Sequence, residues 1–220
     1  MDFLLLALPA LLSIINPLGG AFIFLGATRE LPNAMRSRLA RWVAIHSFIL
    51  INVSLYIGAF VLEFFGISLP VLRVAGGIII TMTGWGLLNA QDKPDPDQAL
   101  RMASDRDASQ MAFYPLTMPL TAGPGTISVA IALGTSRPAD SLTHFLKFVI
   151  SASGTALLIC LLIYLCYNSA ERISRVMGPT GTTIVLRLSA FLLFCIGIQV
   201  FWNGAFELLS SIGTVPPSDL

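Results

Sequence analysis

The stretch Ile15-Asn16-Pro17-Leu18-Gly19-Gly20 decides how this chain is read. It sets a proline and two glycines inside an apolar run that would otherwise form one long helix. Proline has no backbone N–H and its ring clashes with the preceding turn. It also pushes the residue before it, here Asn16, out of helical geometry. A break at Asn16–Pro17 is therefore expected, and its meaning depends on what surrounds it.

The surroundings are lipid. Of 220 residues, 55% are hydrophobic and 11% are charged, with a mean hydropathy of +0.80. Soluble domains carry about 25% charged residues. In hydrocarbon each unsatisfied backbone group costs several kcal/mol, so a break must face protein, water or a ligand. The formal net charge of +1 offers nothing to a nucleic acid. Cys160, Cys166 and Cys195 lie in apolar runs without metal spacing and read as small apolar side chains. No basic residue precedes the first apolar run, which reads as a retained span and not a signal peptide.

Charges divide the chain into six uncharged stretches of 26, 21, 18, 29, 23 and 19 residues, beginning after Asp2, Arg41, Arg73, Asp107, Lys147 and Arg187. About 17–25 residues suffice to cross a bilayer core as a helix. Six spans are expected, with surplus length in the first and fourth. Residues 91–110 form the only long polar segment, a linker rich in Pro and Asp. Nine Lys and Arg residues fall on one side: Arg29, Arg36, Arg38, Arg41, Lys93, Arg101, Arg106, Arg172 and Arg175. That side should be cytoplasmic, which leaves both termini periplasmic.

The fourth stretch repeats the interruption of the first, as Thr121-Ala122-Gly123-Pro124-Gly125-Thr126. The third and sixth stretches also match. Val71-Leu72-Arg73 leads to Asn89 and Val185-Leu186-Arg187 leads to Asn203, 16 residues from Arg to Asn in both. The expected fold is an all-α membrane protein of six transmembrane helices, made of two inverted three-helix repeats with helices 1 and 4 broken. Residues 1–90 would form the first repeat, 91–110 a cytoplasmic linker, and 111–220 the second repeat.

Two broken helices at matched positions point to a shared site near the midplane. Half-helices that begin at Pro17 and Pro124 present free N–H groups and a positive dipole end to an anionic group. Carbonyls before each break can accept from an ammonium. A small zwitterion offers both charges. The expected contacts are Asn16, Pro17, Gly19, Gly20, Thr121, Gly123, Pro124, Gly125 and Thr126, with glycines permitting close approach to the backbone. The bland alternative is a pair of kinks whose glycines serve helix packing.

Arg73 and Arg187 read as snorkelling anchors or as one gate residue per face, with Glu63 and Glu207 as available partners. Asn52, Asn89, Gln199 and Asn203 could bond between helices. His46 could carry a proton, although a lone helical histidine is more often structural. No metal cluster, paired carboxylate or nucleophile motif is found, so no enzyme activity and no cofactor is expected.

The segments "INPLGG", "FGISLPVLRVAGGIII", "PLTMPLTAGPGTI" and "RLSAFLLFCIGIQVFWNG" resemble the signature segments of the MarC family of bacterial multi-pass inner-membrane proteins. The resemblance covers almost the whole chain. It implies kinship with small neutral amino-acid transporters, some of which are implicated in glycine and alanine transport, within the wider group of LysE-type exporters. The expected function is alternating-access transport of small neutral amino acids or similar zwitterions. A non-transporting, accessory or stress-related membrane protein is the alternative. The implied partners are the lipid bilayer and a small zwitterionic substrate, with a homo-oligomer left open.

Overall fold

The computed structural model describes residues 3–28, 31–89, 111–135 and 142–213. The polar linker 91–110, and with it the expected boundary between the halves, lies outside the described residues.

The described residues are almost all helical, with no strand among them. Helix α1 spans Phe3–Ile15 and α2 spans Pro17–Ala27, parted at Asn16. The long α3 spans Asn33–Phe64 and α4 spans Leu69–Asn89. A wide, π-wound segment, α5, spans Ala112–Thr121, and α6 spans Pro124–Gly134. The run Leu142–Gly213 turns at Gly178, which divides it into α7 (Thr143–Gly178) and α8 (Thr180–Ser211).

Among the described residues, five helical stretches are long and apolar enough to cross a membrane: Phe3–Ala27, α3, α4, α7 and α8. The expected stretch outside this count is the fourth, one of the two read as broken helices. The expected fourth span is divided between α5 and α6, and α6 has only 11 residues, too few to cross by itself.

Proline explains where the chain departs from helix. Asn16 adopts a left-handed conformation at φ 44°, and Gly123 is extended at φ −79°, ψ −172°. Tyr114 and Met118 inside α5 are also extended, at φ −129° and −117°. Each of the four precedes a proline, where the ring excludes the right-handed helix. The α5 carbonyls are re-satisfied by threonine. Thr117 Oγ1 donates to Ala112 O and Thr121 Oγ1 to Leu116 O, both at 2.7 Å. Such internal partners are what allow irregular backbone at membrane depth.

Two turns need glycine. Gly66 (φ 66°) closes α3, with Gly66 N–H donating to Glu63 O and Ile67 N–H to Leu62 O. This is a Schellman ending, which requires a positive φ at that position. Gly178 (φ 70°) turns α7 into α8 just before Pro179. Arg172 and Arg175, expected in the loop before the sixth span, lie with Glu171 in the last turns of α7. No breaker stands before Gly178, so the helix carries on past them.

Packing joins the ends of the chain to its middle. Helices α4 and α8 lie antiparallel with backbones nearly touching. A β-carbon at Gly77 would stand 2.3 Å from Phe201 N, one at Gly84 2.5 Å from Phe194 N, and one at Gly197 2.4 Å from Thr81 N. Helix α3 lies antiparallel to α7. Tyr56 Oη accepts or donates with Ser153 Oγ at 2.7 Å and donates to Val149 O at 3.1 Å, and Ser153 Oγ donates to Asn52 Oδ1 at 3.0 Å. The core gathers Leu11, Ile15, Phe24, Leu39, Val43, Ile51, Ile159, Ile163 and Tyr167. Large apolar side chains such as Phe64, Met82, Ile150 and Trp202 point outward, as a lipid-facing surface requires.

The α4–α8 crossing sets a test. Gly77→Ala should lose about 1–3 kcal/mol, because the new methyl meets backbone that only a parting of helices can relieve. Gly86→Ala, with nothing within 4 Å, should be neutral or stabilising by up to about 1 kcal/mol through helix propensity. Unfolding of both variants in mixed micelles checks the contrast.

Candidate functional site

The two interruptions come together inside the bundle. A β-carbon on Gly125, in the first turn of α6, would lie 3.7 Å from Ile14 Cγ2, just before the first interruption. Tyr167 of α7 links them from the other side. Its hydroxyl bonds Thr121 Oγ1 at 2.8 Å. The same oxygen would lie 2.6 Å from a β-carbon on Gly20. Tyr167 is 0% exposed, and its ring stacks on Phe24 with centroids 4.8 Å apart.

At the first interruption, Asn16 caps α2: its Oδ1 accepts from Gly19 N–H at 3.2 Å. Gly20 N–H donates to Asn16 O at 2.9 Å. Pro17, Gly19 and Gly20 are buried and Asn16 is half-buried. At the second, α6 opens without a side-chain cap on Gly123. Ile127 N–H takes Gly123 O at 3.1 Å. The Gly125 and Thr126 N–H groups belong to the first turn, where helical geometry supplies no acceptor. Thr121, Gly123, Gly125 and Thr126 are buried and Pro124 is half-buried.

The glycine faces are covered by protein. Gly19 abuts Ser189 of α8, whose Cβ would be 2.6 Å from a β-carbon there. Gly125 abuts Ile80 of α4, at 2.2 Å on the same measure. In this conformation the glycines admit neighbouring side chains, so a ligand would have to displace them. Sequence reasoning did not select Tyr167, Ser189 or Ile80. A tyrosine in an apolar helix looks like core, and only tertiary contact shows what its hydroxyl meets.

Ion pairs lie at both ends of the bundle. Arg73 pairs with Glu207, joining the start of α4 to the end of α8. Arg187 is exposed and has no ion pair among the described residues. Arg36 was expected to mark only orientation, yet it is 9% exposed. Its guanidinium donates to Glu171 Oε2 at 2.8 Å and, at 3.3 Å each, to Asn33 Oδ1, Thr28 O and Leu31 O. It thereby ties the end of α2 to α3 and α7.

The other polar candidates divide. Asn52 links α3 to α7 through Ser153. Asn89 bonds Trp85 O in its own helix, and Gln199 bonds Asn203 in α8, so among the described residues the matched asparagines bond within their own helices. His46 sits between Trp42 and Phe113, ring centroids 5.6 Å away in both cases.

The profile of MarC family integral membrane proteins matches residues 1–209. The chain belongs to the MarC family. It is 34% identical over 215 residues to the UPF0056 inner membrane protein MarC of Salmonella paratyphi A, covering 94% of this chain and 95% of that one. It is 32% identical over 210 residues to the protein of the same name from Escherichia coli, with the same coverage. No solved structure matches. The MarC match takes in both interruptions, the Tyr167 contact and the two end ion pairs.

Proposed function

We propose that this MarC-family protein carries small neutral amino acids, or similar zwitterions, across the bacterial inner membrane by alternating access, with both termini periplasmic. The observation that carries the reading is the convergence of two half-helix N-termini around one buried hydroxyl, Tyr167. Two positive dipole ends suit a carboxylate. Carbonyls and hydroxyls beside them suit an ammonium.

Reciprocal packing supports a two-fold relation between the halves. Helix α2 leans on α8 through Gly19 and Ser189, and α6 leans on α4 through Gly125 and Ile80. In each case the half-helix after a break meets the last span of the other half. Antiparallel α4–α8 and α3–α7 contacts fit the same axis. Inverted repeats with paired broken helices are a recurring transporter plan, and rocking of one half on the other gives alternating access. The covered glycines then belong to a closed state, and Ile80 and Ser189 withdraw to admit substrate.

A second reading, a non-transporting inner-membrane protein, is favoured by that same coverage of the glycines. Thermal unfolding of the purified protein with glycine, alanine or serine separates the two. A ligand at about 100 times its Kd adds about 2.7 kcal/mol. Transport requires at least one of the three to raise Tm, and uptake of the same compound into proteoliposomes. No rise with any of them, and no uptake, would favour the second reading.

A further inference from the structure

A cavity of about 270 Å³ opens where α3 begins and α7 ends. Arg36, Arg172, Arg175, Glu171, Asn33 and Ser37 are among the residues that line it. It stands apart from the paired interruptions, and the argument for it does not require transport.

We infer that this cavity binds a phosphate group, and that the source is the headgroup of an anionic lipid. Among the described residues its wall carries three arginines and one glutamate. Glu171 accepts from Arg36 through Oε2 at 2.8 Å and from Arg175 through Oε1 at 3.0 Å, so both its oxygens are engaged. Three guanidiniums thus face one carboxylate. Arg172 forms no ion pair with an acid among the described residues. Guanidinium is planar and matches phosphate oxygens two at a time. Ser37 adds a hydroxyl donor to the wall. Asn33 is the first residue of α3, so the positive end of that helix adds to the field.

Size and position select the ligand. Pockets for drug-sized molecules run to about 300–1,000 Å³; this one is smaller and suits a phosphate with little attached. Arg175 is 78% exposed at the end of a membrane-crossing helix, within reach of headgroups. Basic pockets between helices at the cytoplasmic side take such headgroups.

The full chain in neutral detergent tests this by thermal unfolding with phosphatidylglycerol, phosphatidylcholine or inorganic phosphate. Phosphatidylglycerol should raise Tm and phosphatidylcholine, whose choline cancels the charge, should not. The double variant Arg172→Gln/Arg175→Gln should lose at least half of the rise. It should fold, since both side chains are exposed and the Arg175–Glu171 pair is an i,i+4 surface contact. The control Arg38→Gln/Arg41→Gln removes two exposed arginines of α3 outside the cavity and should keep the full rise. If inorganic phosphate alone gives the whole rise, and the double variant loses it, the site stands and the lipid source is wrong. No rise with either anion, or equal loss in both double variants, overturns the site in favour of diffuse surface charge.

Discussion

Arg36→Ala is expected to lose about 3 kcal/mol of unfolding free energy, from a side chain that is 10% exposed. The change removes at least four hydrogen bonds at once, all to described residues. Two are to backbone carbonyls, Thr28 O and Leu31 O, and these are left facing a vacated space. One is to Glu171, and charged bonds contribute about 1.5–3 kcal/mol each. Breaking a fully buried pair costs about 3–5 kcal/mol. The lower end applies because Glu171 is 40% exposed and retains Arg175. Glu171→Gln should lose less, about 1 kcal/mol, since the amide still offers Arg36 an acceptor. Arg36→Lys should fall between, as one ammonium cannot reach acceptors on α2, α3 and α7 together. Chemical unfolding of the three variants in micelles measures the order. Equal, negligible losses would mean that Arg36 does not tie these helices.

Gly125→Val should be comparably damaging, by about 3 kcal/mol, and for a different reason. Its β-carbon would lie 2.2 Å from Ile80 Cγ1 and 2.4 Å from Cδ1. Ile80 is 4% exposed and has little room to rotate away. Either α6 leaves α4, or the interruption before it reshapes. The clash names its own remedy: Ile80→Ala should restore most of the stability in the double variant while costing about 2–5 kcal/mol alone. Strong non-additivity of this kind marks direct contact. The double variant also separates packing from function, since it refills the space beside the Gly125 N–H with a fixed branched side chain. A transporter should regain stability there without regaining ligand binding. A scaffold should regain whatever it does along with its stability.

Both interruptions were legible because proline and glycine inside an apolar run leave few alternatives. Asn16 and Gly123 leave the helix where their prolines require. The same rule applied to Tyr114–Pro115 and Met118–Pro119, two steps four residues apart, would have foretold that α5 is not a regular helix. That signal was present and was absorbed into one over-long span. The pairing of Arg73 with Glu207 was among the options open from the sequence, since both sit near span ends. Arg36 was not legible as a buried residue, because its partner Glu171 lies 135 positions away. Tyr167 was hidden for the same reason. The equal Arg-to-Asn spacing in the third and sixth stretches was real as a pattern, but Asn89 and Asn203 bond within their own helices. Spacing along a chain reports which face a residue occupies; it does not report what that face meets.

The convergence of the two interruptions on Tyr167 is tested most directly by a thermodynamic cycle on Gly20, Thr121 and Tyr167. With Tyr167 in place, Gly20→Ala should lose about 1–2 kcal/mol, because the methyl meets the hydroxyl oxygen. On a Tyr167→Phe background that loss should largely vanish, since the ring carbons would stand at 3.4 Å. Thr121→Val should couple to Tyr167→Phe by about 1 kcal/mol through their shared bond. Additive losses at both positions would contradict the account, because they would place the Tyr167 hydroxyl away from one interruption and from the other.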